Sequence, residues 1–94
     1  MIVLQIEHPV TNYDNWKTTF DKDPVNRKKS GVRRYKIFRE VDNLNYVIIH
    51  LEFDTLDEAK NLLMALQPLW KLVEGKVITG LKARIIEMAE SKEY

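Results

Sequence analysis

Apolar and polar residues alternate in four segments of the chain, with the period of two that characterises a β-strand with one buried face. The segments cover residues 2–8, 32–41, 46–53 and 77–89. Residues 42–45 consist mainly of Asp and Asn, which favour turns, so the second and third segments should form a hairpin. The pattern therefore predicts four strands.

Apolar residues at helical spacing occupy two regions between these strands. Asn12 predicts the N-cap of a first helix from Tyr13 to Asp21, whose buried side is aromatic. Thr55 and Glu58 have the spacing of a capping box, which predicts that a second helix begins here. The residues of that helix expected to face inward are Ala59, Leu62, Leu63 and Leu66.

Two prolines predict shorter elements. Asp23 and Pro24 indicate the start of a short basic helix that ends at Gly31. Pro68 indicates a separate short turn that ends at Gly75, after which the last strand begins at Val77.

The order strand, helix, strand, strand, helix, strand is that of an α+β, ferredoxin-like βαββαβ domain covering residues 1–94. Both helices then cover one face of a four-stranded antiparallel sheet and leave the other face open. We call this second surface the open face; its members are Val3, Gln5, Glu7, Arg34, Lys36, Phe38, Ile48, His50, Glu52, Lys82, Arg84, Ile86 and Met88. Because an uncovered sheet with several large apolar side chains usually meets a partner, we expect a second copy to cover it.

The composition agrees with a small domain that gains from self-association. A chain of 94 residues buries only about 60% of the surface that it exposes when unfolded, so an interface adds useful burial. The absence of cysteine excludes a disulfide scaffold and a zinc finger, and the apolar runs are too short for a membrane span. Without a recognisable signal peptide, a cytoplasmic location is expected.

Charge is unevenly distributed although 15 basic residues nearly balance 14 acidic ones. Seven basic residues and no acidic residue lie between Arg27 and Arg39. This block is either a solvated surface, a surface that meets acidic groups of a second copy, or a site that attracts an anionic ligand or nucleic acid. Since the net charge is only +1, we rank nucleic acid last and expect neither a nucleic-acid nor a membrane partner.

Candidate chemistry is sparse. His8 and His50 lack metal-ligand spacing and the glycines are isolated, so we expect no metal and no cofactor. His50 falls on the open face near Glu52 and Arg34, where it is either a general base or a hydrogen-bonded histidine in a dimer interface, the second being favoured. Arg34 either clamps a carboxylate or enolate or pairs with Glu7 or Glu52 across the interface between two copies.

Four aromatic residues of the helical regions form a second candidate set. They are Tyr13, Trp16, Phe20 and Trp70. They either line a flat pocket for an aromatic ligand or pack as ordinary core.

Three segments give the chain a resemblance to a known superfamily. They are residues 13–17 at the first helix, residues 20–32 with their Asp-Pro and Ser-Gly-Val steps, and residues 51–54 before the second helix. Over nearly its whole length the chain resembles the dimeric α+β barrel superfamily, in particular small antibiotic-biosynthesis-monooxygenase-like and cyclase-like proteins. The resemblance implies two sheets facing each other in a homodimer and a ligand pocket between sheet and helices. In the best-known branch it implies cofactor-free oxygenation of phenolic or quinol-like polyketides.

Two functions remain open from these residues. In the first, the homodimer binds a small aromatic or polyketide-like ligand in a pocket edged by Tyr13, Trp16, His50 and Trp70. There His50 or Tyr13 is the catalytic base, and the substrate contacts are Trp16, Phe20, Arg34 and Trp70. In the second, the chain is a non-catalytic ligand-binding or assembly module whose open face serves only dimerisation.

Overall fold

The elements of the protein follow the predicted order in the computed structural model, which describes residues 1–73 and 80–94. They are β1 (Ile2–Pro9), α1 (Tyr13–Asp21), β2 (Arg34–Glu40), β3 (Asn43–Phe53), α2 (Leu56–Val73) and β4 (Lys82–Glu87). The strands form one antiparallel sheet in the order β2-β3-β1-β4. The predicted ferredoxin-like α+β fold is therefore confirmed.

Strand register separates the two faces of the sheet as the alternation predicted. Leu4 pairs with Leu51 on β3 and with Ile85 on β4, and all three face the helices. Gln5 pairs with His50 on the open face. The core lies between the helices and the sheet; its most deeply buried members include Leu4, Val47, Leu51, Phe53, Ala59 and Leu62.

Both predicted helix starts are confirmed by their capping contacts. The Asn12 side chain accepts a hydrogen bond from the Asn15 amide at 3.0 Å, which satisfies a free N–H in the first turn of α1. The Thr55 hydroxyl accepts from the Glu58 amide at 3.2 Å and donates to the Glu58 carboxylate at 3.0 Å. These local contacts fix where each helix leaves the sheet.

The short basic helix predicted after Asp23 is wrong, because residues 22–31 form a series of turns. Asp23 and Asn26 adopt positive φ angles of 49° and 50°, which a continuous right-handed helix does not allow. Gly31 also has a positive φ, of 103°, and a Cβ there would stand 2.5 Å from the Glu58 carboxylate. The segment folds against the start of α2, so tertiary contact overrides its local helical signal.

The separate turn predicted at Pro68 is also wrong, because α2 continues through this residue to Val73. Proline removes only one helical N–H bond, and apolar residues continue at helical spacing on both sides of it, from Leu62 and Leu66 to Leu69 and Trp70. The predicted end at Gly75 and the predicted strand start at Val77 lie outside the described residues. In the described part of the chain, no helix is long and apolar enough to cross a membrane.

The strand ends differ slightly from the predicted ones. β2 begins at Arg34 instead of Val32, and β4 ends at Glu87 instead of Ala89. The β2–β3 turn is tighter than expected, because Glu40 already pairs with Asn43 next to a register irregularity. Local alternation defines the faces of a strand better than its ends.

Candidate functional site

A cavity of about 270 Å³ lies between the sheet and the helices, and we call it the helix-side cavity. Its floor comes from β1 and β3, and its walls come from α1, α2 and the turns between α1 and β2. The lining residues are Ile6, Ile49, Leu51, Trp16, Thr19, Phe20, Pro24, Val25, Arg27, Leu62, Leu66, Leu69, Trp70 and Leu72. With so many apolar groups, the cavity suits a mainly hydrophobic ligand.

Trp16 is the centre of the aromatic wall. Only 5% of its surface is exposed, and its ring centroid lies 5.1 Å from that of Phe20 and 5.7 Å from that of Tyr13. The His8 ring contacts Trp16 edge-on, and the two ring centroids lie 5.9 Å apart. These contacts hold the indole in one orientation, which gives the cavity a rigid flat surface.

Arg27 is the charged residue among the described residues that line the helix-side cavity. Its guanidinium lies 3.8 Å from the Phe20 ring centroid and 5.4 Å from that of Tyr35. Nη1 donates to the Phe20 carbonyl at 3.0 Å, and Nε lies 3.6 Å from an Asp23 carboxylate oxygen. The side chain is therefore fixed at the cavity wall with its charge only partly balanced.

On the open face, hydrogen bonds connect side chains of the central strands. His50 Nε2 lies 3.1 Å from Gln5 Oε1, and the Gln5 amide donates to Glu7 at 3.4 Å. The Tyr46 hydroxyl donates to the other Glu7 oxygen at 3.1 Å. Burial raises the pKa of Tyr46, and the hydrogen bond to Glu7 adds to this, so the phenol stays protonated. The Phe38 ring covers His50 edge-on at 5.1 Å.

Glu52 is a second buried group of the open face, with 3% of its surface exposed. Burial alone would raise its pKa, but hydrogen bonds from Arg34 and Lys36 outweigh this and hold the pKa below its ordinary value. The distances are 2.5 Å to Arg34 Nη1 and 3.2 Å to Lys36 Nζ. Arg34 is thus paired within its own chain, and the basic block is partly neutralised internally.

The structure divides the predicted site residues between the two faces of the sheet. Trp16, Phe20 and Trp70 meet around the helix-side cavity, whereas His50 and Arg34 lie on the open face. Tyr13 packs beside Trp16 beneath the Arg39 guanidinium, outside the cavity lining. The single predicted pocket that joined His50 to the tryptophans is therefore wrong, because neighbouring residues of β3 point to opposite faces.

Sequence reasoning did not single out Arg27, which was grouped with the basic block between Arg27 and Arg39. One available signal was its spacing, four residues after Asp23 and seven after Phe20 in a segment between two apolar elements. The buried contacts of Arg27 depend on positive φ angles at Asp23 and Asn26, which the residue pattern did not reveal. Among residues 1–73 and 80–94, no group of three or more acidic or histidine side chains is arranged to hold a metal ion.

Stability should depend on pH through His8, which is 2% exposed on the helix-facing side of β1. Burial lowers its pKa below 6.5, although the hydrogen bond from Nδ1 to the Pro9 carbonyl opposes the shift. The unfolded chain takes up a proton near pH 6.5 that the folded chain does not, so the free energy of unfolding should fall as the pH drops through that value. Glu52 adds a similar loss only at more acidic pH, as the pH falls below 4.5.

Urea unfolding at about pH 7.5 and about pH 5.5 would measure this dependence in the wild type and in His8→Gln. The variant should lose less stability between these two conditions. Equal losses in both proteins would contradict the assignment to His8.

The comparisons with known proteins rest on structure, since no family model and no curated protein sequence matches the chain. A variant of SnoaB, a cofactor-independent oxygenase from Streptomyces nogalater, superposes with a TM-score of 0.76 at 13% identity, covering 96% of this chain and 94% of that one. An antibiotic-biosynthesis-monooxygenase-like protein of Deinococcus radiodurans has a TM-score of 0.67 at 16% identity, covering 100% and 98%. A dimeric ferredoxin-like protein from an uncultured marine organism has a TM-score of 0.63 at 8% identity, covering 99% and 100%. At 8–16% identity, these likenesses show that the chain shares the ferredoxin-like α+β fold of these proteins.

Proposed function

We propose that the protein binds a small, flat aromatic molecule in the helix-side cavity and promotes its cofactor-free oxygenation. The observation that carries this proposal is the cavity itself, with Trp16, Phe20 and Trp70 in its walls. A protein cavity of about 150 Å³ accommodates benzene, so about 270 Å³ suits a molecule of about two fused rings. The likeness to SnoaB, a cofactor-independent oxygenase, supports the reaction class.

The side chains around the cavity would orient the ligand and keep water out. The indoles stack against the ring plane, and the aliphatic floor admits O2, which is itself apolar. An activated ring methylene loses a proton, the carbanion adds O2, and the peroxide takes up a proton; loss of water then leaves a carbonyl. Neither predicted base is among the lining residues, but Tyr13 lies on the helix side of the sheet and packs against Trp16, which does line the cavity. We therefore propose Tyr13 as the group that takes the proton from the bound ligand.

We further propose that two copies associate through the open face. Phe38 and Met88 are 45% and 49% exposed there, beside the half-buried Ile48 and Ile86. This mixture of apolar and hydrogen-bonded side chains is typical of an interface between identical subunits. The alternative function, a non-catalytic module, keeps this interface and lacks the oxygenation step.

Binding can be followed through intrinsic fluorescence, because both tryptophans of the chain line the helix-side cavity. Naphthalene should quench this fluorescence in the wild type. Leu66→Phe, which fills cavity space, should weaken naphthalene binding by about 10-fold or more. The matched control is Met64→Phe on the same helix, which changes a side chain that is 68% exposed and should bind normally. Equal binding by both variants would place the ligand elsewhere.

Oxygenation would be tested with 2-tetralone, whose methylene lies between an arene and a ketone. The wild type should accelerate O2 uptake, with a product that has gained one oxygen atom and lost two hydrogens. Leu66→Phe should lose this acceleration and Met64→Phe should keep it. Naphthalene binding without catalysed O2 uptake would favour the non-catalytic module.

His50→Ala should leave naphthalene binding within about 2-fold of the wild type, because the side chain lies across the sheet from the cavity. It should instead weaken subunit association, measured by sedimentation equilibrium, because it removes the contacts to Gln5 and Phe38. Loss of 2-tetralone oxygenation with an intact dimer would contradict this and return His50 to a catalytic role.

A further inference from the structure

We infer that Arg27 binds an anionic oxygen of the ligand, so that the helix-side cavity selects a flat aromatic molecule carrying a carboxylate or an ionised hydroxyl. The inference rests on the proposed use of this cavity and specifies the chemistry of its occupant. It is carried by the position, contacts and unused donors of the Arg27 guanidinium.

The position of Arg27 is fixed by contacts on several sides. Its guanidinium stacks on Phe20 at 3.8 Å, and the Phe20 carbonyl accepts a hydrogen bond from Nη1. Phe20 itself belongs to the aromatic wall, 5.1 Å from Trp16. A planar ligand against this wall would therefore bring its edge near a cation whose plane is already set.

Donor capacity of the guanidinium remains available to a ligand. Arg27 has several N–H groups, and among the residues that the structure describes the Phe20 carbonyl is the acceptor that meets hydrogen-bond geometry. The Asp23 oxygen, at 3.6 Å from Nε, is too distant for a good hydrogen bond. In the described residues, no fully buried side-chain nitrogen or oxygen lacks a partner, so an Arg27 nitrogen without a partner is at least partly accessible. Arg27 lines the cavity, which offers them such space.

The surroundings strengthen an interaction with an anion. The Arg27 side chain is only 14% exposed and most of its neighbours in the cavity lining are apolar, so water screens its charge weakly. Asp23 offsets part of the charge from one side, and Tyr35 faces the guanidinium with its ring at 5.4 Å. A nearby cation lowers the pKa of an acidic ligand, which favours the ionised form in the cavity.

Arg27 and Asp23 provide variants with opposite expected effects. Arg27→Met keeps an apolar stem and removes the charge and the hydrogen-bond donors. Asp23→Asn removes the competing charge and keeps a side-chain oxygen that can accept from the Arg27 amide, now at 2.9 Å from Asp23. Asn also tolerates the positive φ of 49° at this position. A purely structural role of Arg27 predicts no dependence on ligand charge.

The test measures quenching of tryptophan fluorescence by naphthalene, 2-naphthol and 2-naphthoate at about pH 7.5, where 2-naphthoate is ionised. Arg27→Met should weaken 2-naphthoate binding by about 10-fold or more and change naphthalene binding by less than about 2-fold. Asp23→Asn should tighten 2-naphthoate binding. The absorbance of 2-naphthol tells whether the cavity also takes an ionised hydroxyl and not only a carboxylate. If it does, the pKa of bound 2-naphthol should be lowered in the wild type, and this shift should be lost in Arg27→Met.

Several results would overturn the inference. Equal weakening of naphthalene and 2-naphthoate binding in Arg27→Met would reduce Arg27 to a packing role and leave the proposed cavity function intact. If that variant fails to fold, unchanged 2-naphthoate binding in Asp23→Asn would count against the inference. An absence of quenching by all the probes in the wild type would instead overturn the proposed function itself.

Discussion

Phe38→Asp is expected to convert the proposed dimer into a monomer. The Phe38 side chain contacts the His50 ring edge-on on the open face. Because 45% of its surface is exposed, the monomer should tolerate its loss. In the dimer, an aspartate there would replace an apolar contact with a carboxylate that loses its hydration, and the loss of hydration is costly in an interface. We expect association to weaken by at least about 30-fold, the effect of an interface hot spot.

Sedimentation equilibrium over a range of micromolar concentrations would measure this change. Met64→Asp is the matched control, because it adds the same charge at a residue that is 68% exposed on α2, away from the open face. It should remain dimeric. A wild-type protein that is monomeric throughout this range would contradict the proposed dimer, and dissociation by both variants would place the interface elsewhere.

Trp16→Ala is expected to cause the largest loss of stability among the substitutions considered. The indole is 5% exposed and contacts the rings of His8, Tyr13 and Phe20, so its removal leaves a void in the middle of the aromatic wall. Substitutions of this kind in a core lower the free energy of unfolding by about 3–5 kcal/mol. Because small domains have little stability in reserve, part of the protein should be unfolded without denaturant.

Urea titration followed by circular dichroism would measure this loss, since the change removes one of the two tryptophans. Trp16→Phe provides the control, because a phenyl ring keeps much of the aromatic packing with Phe20 and Tyr13. We expect it to cost less than half as much as Trp16→Ala. Equal costs would mean that Trp16 stabilises the protein through its indole N–H instead of its volume.

Local patterns predicted the parts of the fold that local physics controls. Alternation assigned Leu4 and Leu51 to the helix-facing side and Gln5 and His50 to the open face, because successive side chains of a strand must point in opposite directions. The side chain of Asn12 likewise marks the start of α1, since it satisfies an amide that the helix leaves free. Such contacts involve neighbours within a few residues and need no knowledge of the rest of the chain.

Prediction failed where distant segments determine the backbone. The residues after Asp23 have helical signals, but the turns they form place Gly31 against Glu58, a residue of α2 far along the chain. Pro68 normally indicates a break, but α2 continues through it because residues on both sides, including Leu66 and Trp70, pack around the cavity. In both cases, packing against a remote element outweighs a local preference.

By itself, the sequence determined the order of the elements, the two faces of the sheet and the aromatic character of one helical wall. The alternation of side chains along β3 was sufficient to place His50 on the open face, away from the core. The predicted pocket was wrong because it combined residues of both faces. Only the tertiary structure decided that Trp16 and Trp70 line one cavity and that Arg27 lies at its wall. The physical reason is that periodicity depends on neighbours in the chain, whereas a cavity depends on how residues from several separate elements pack together.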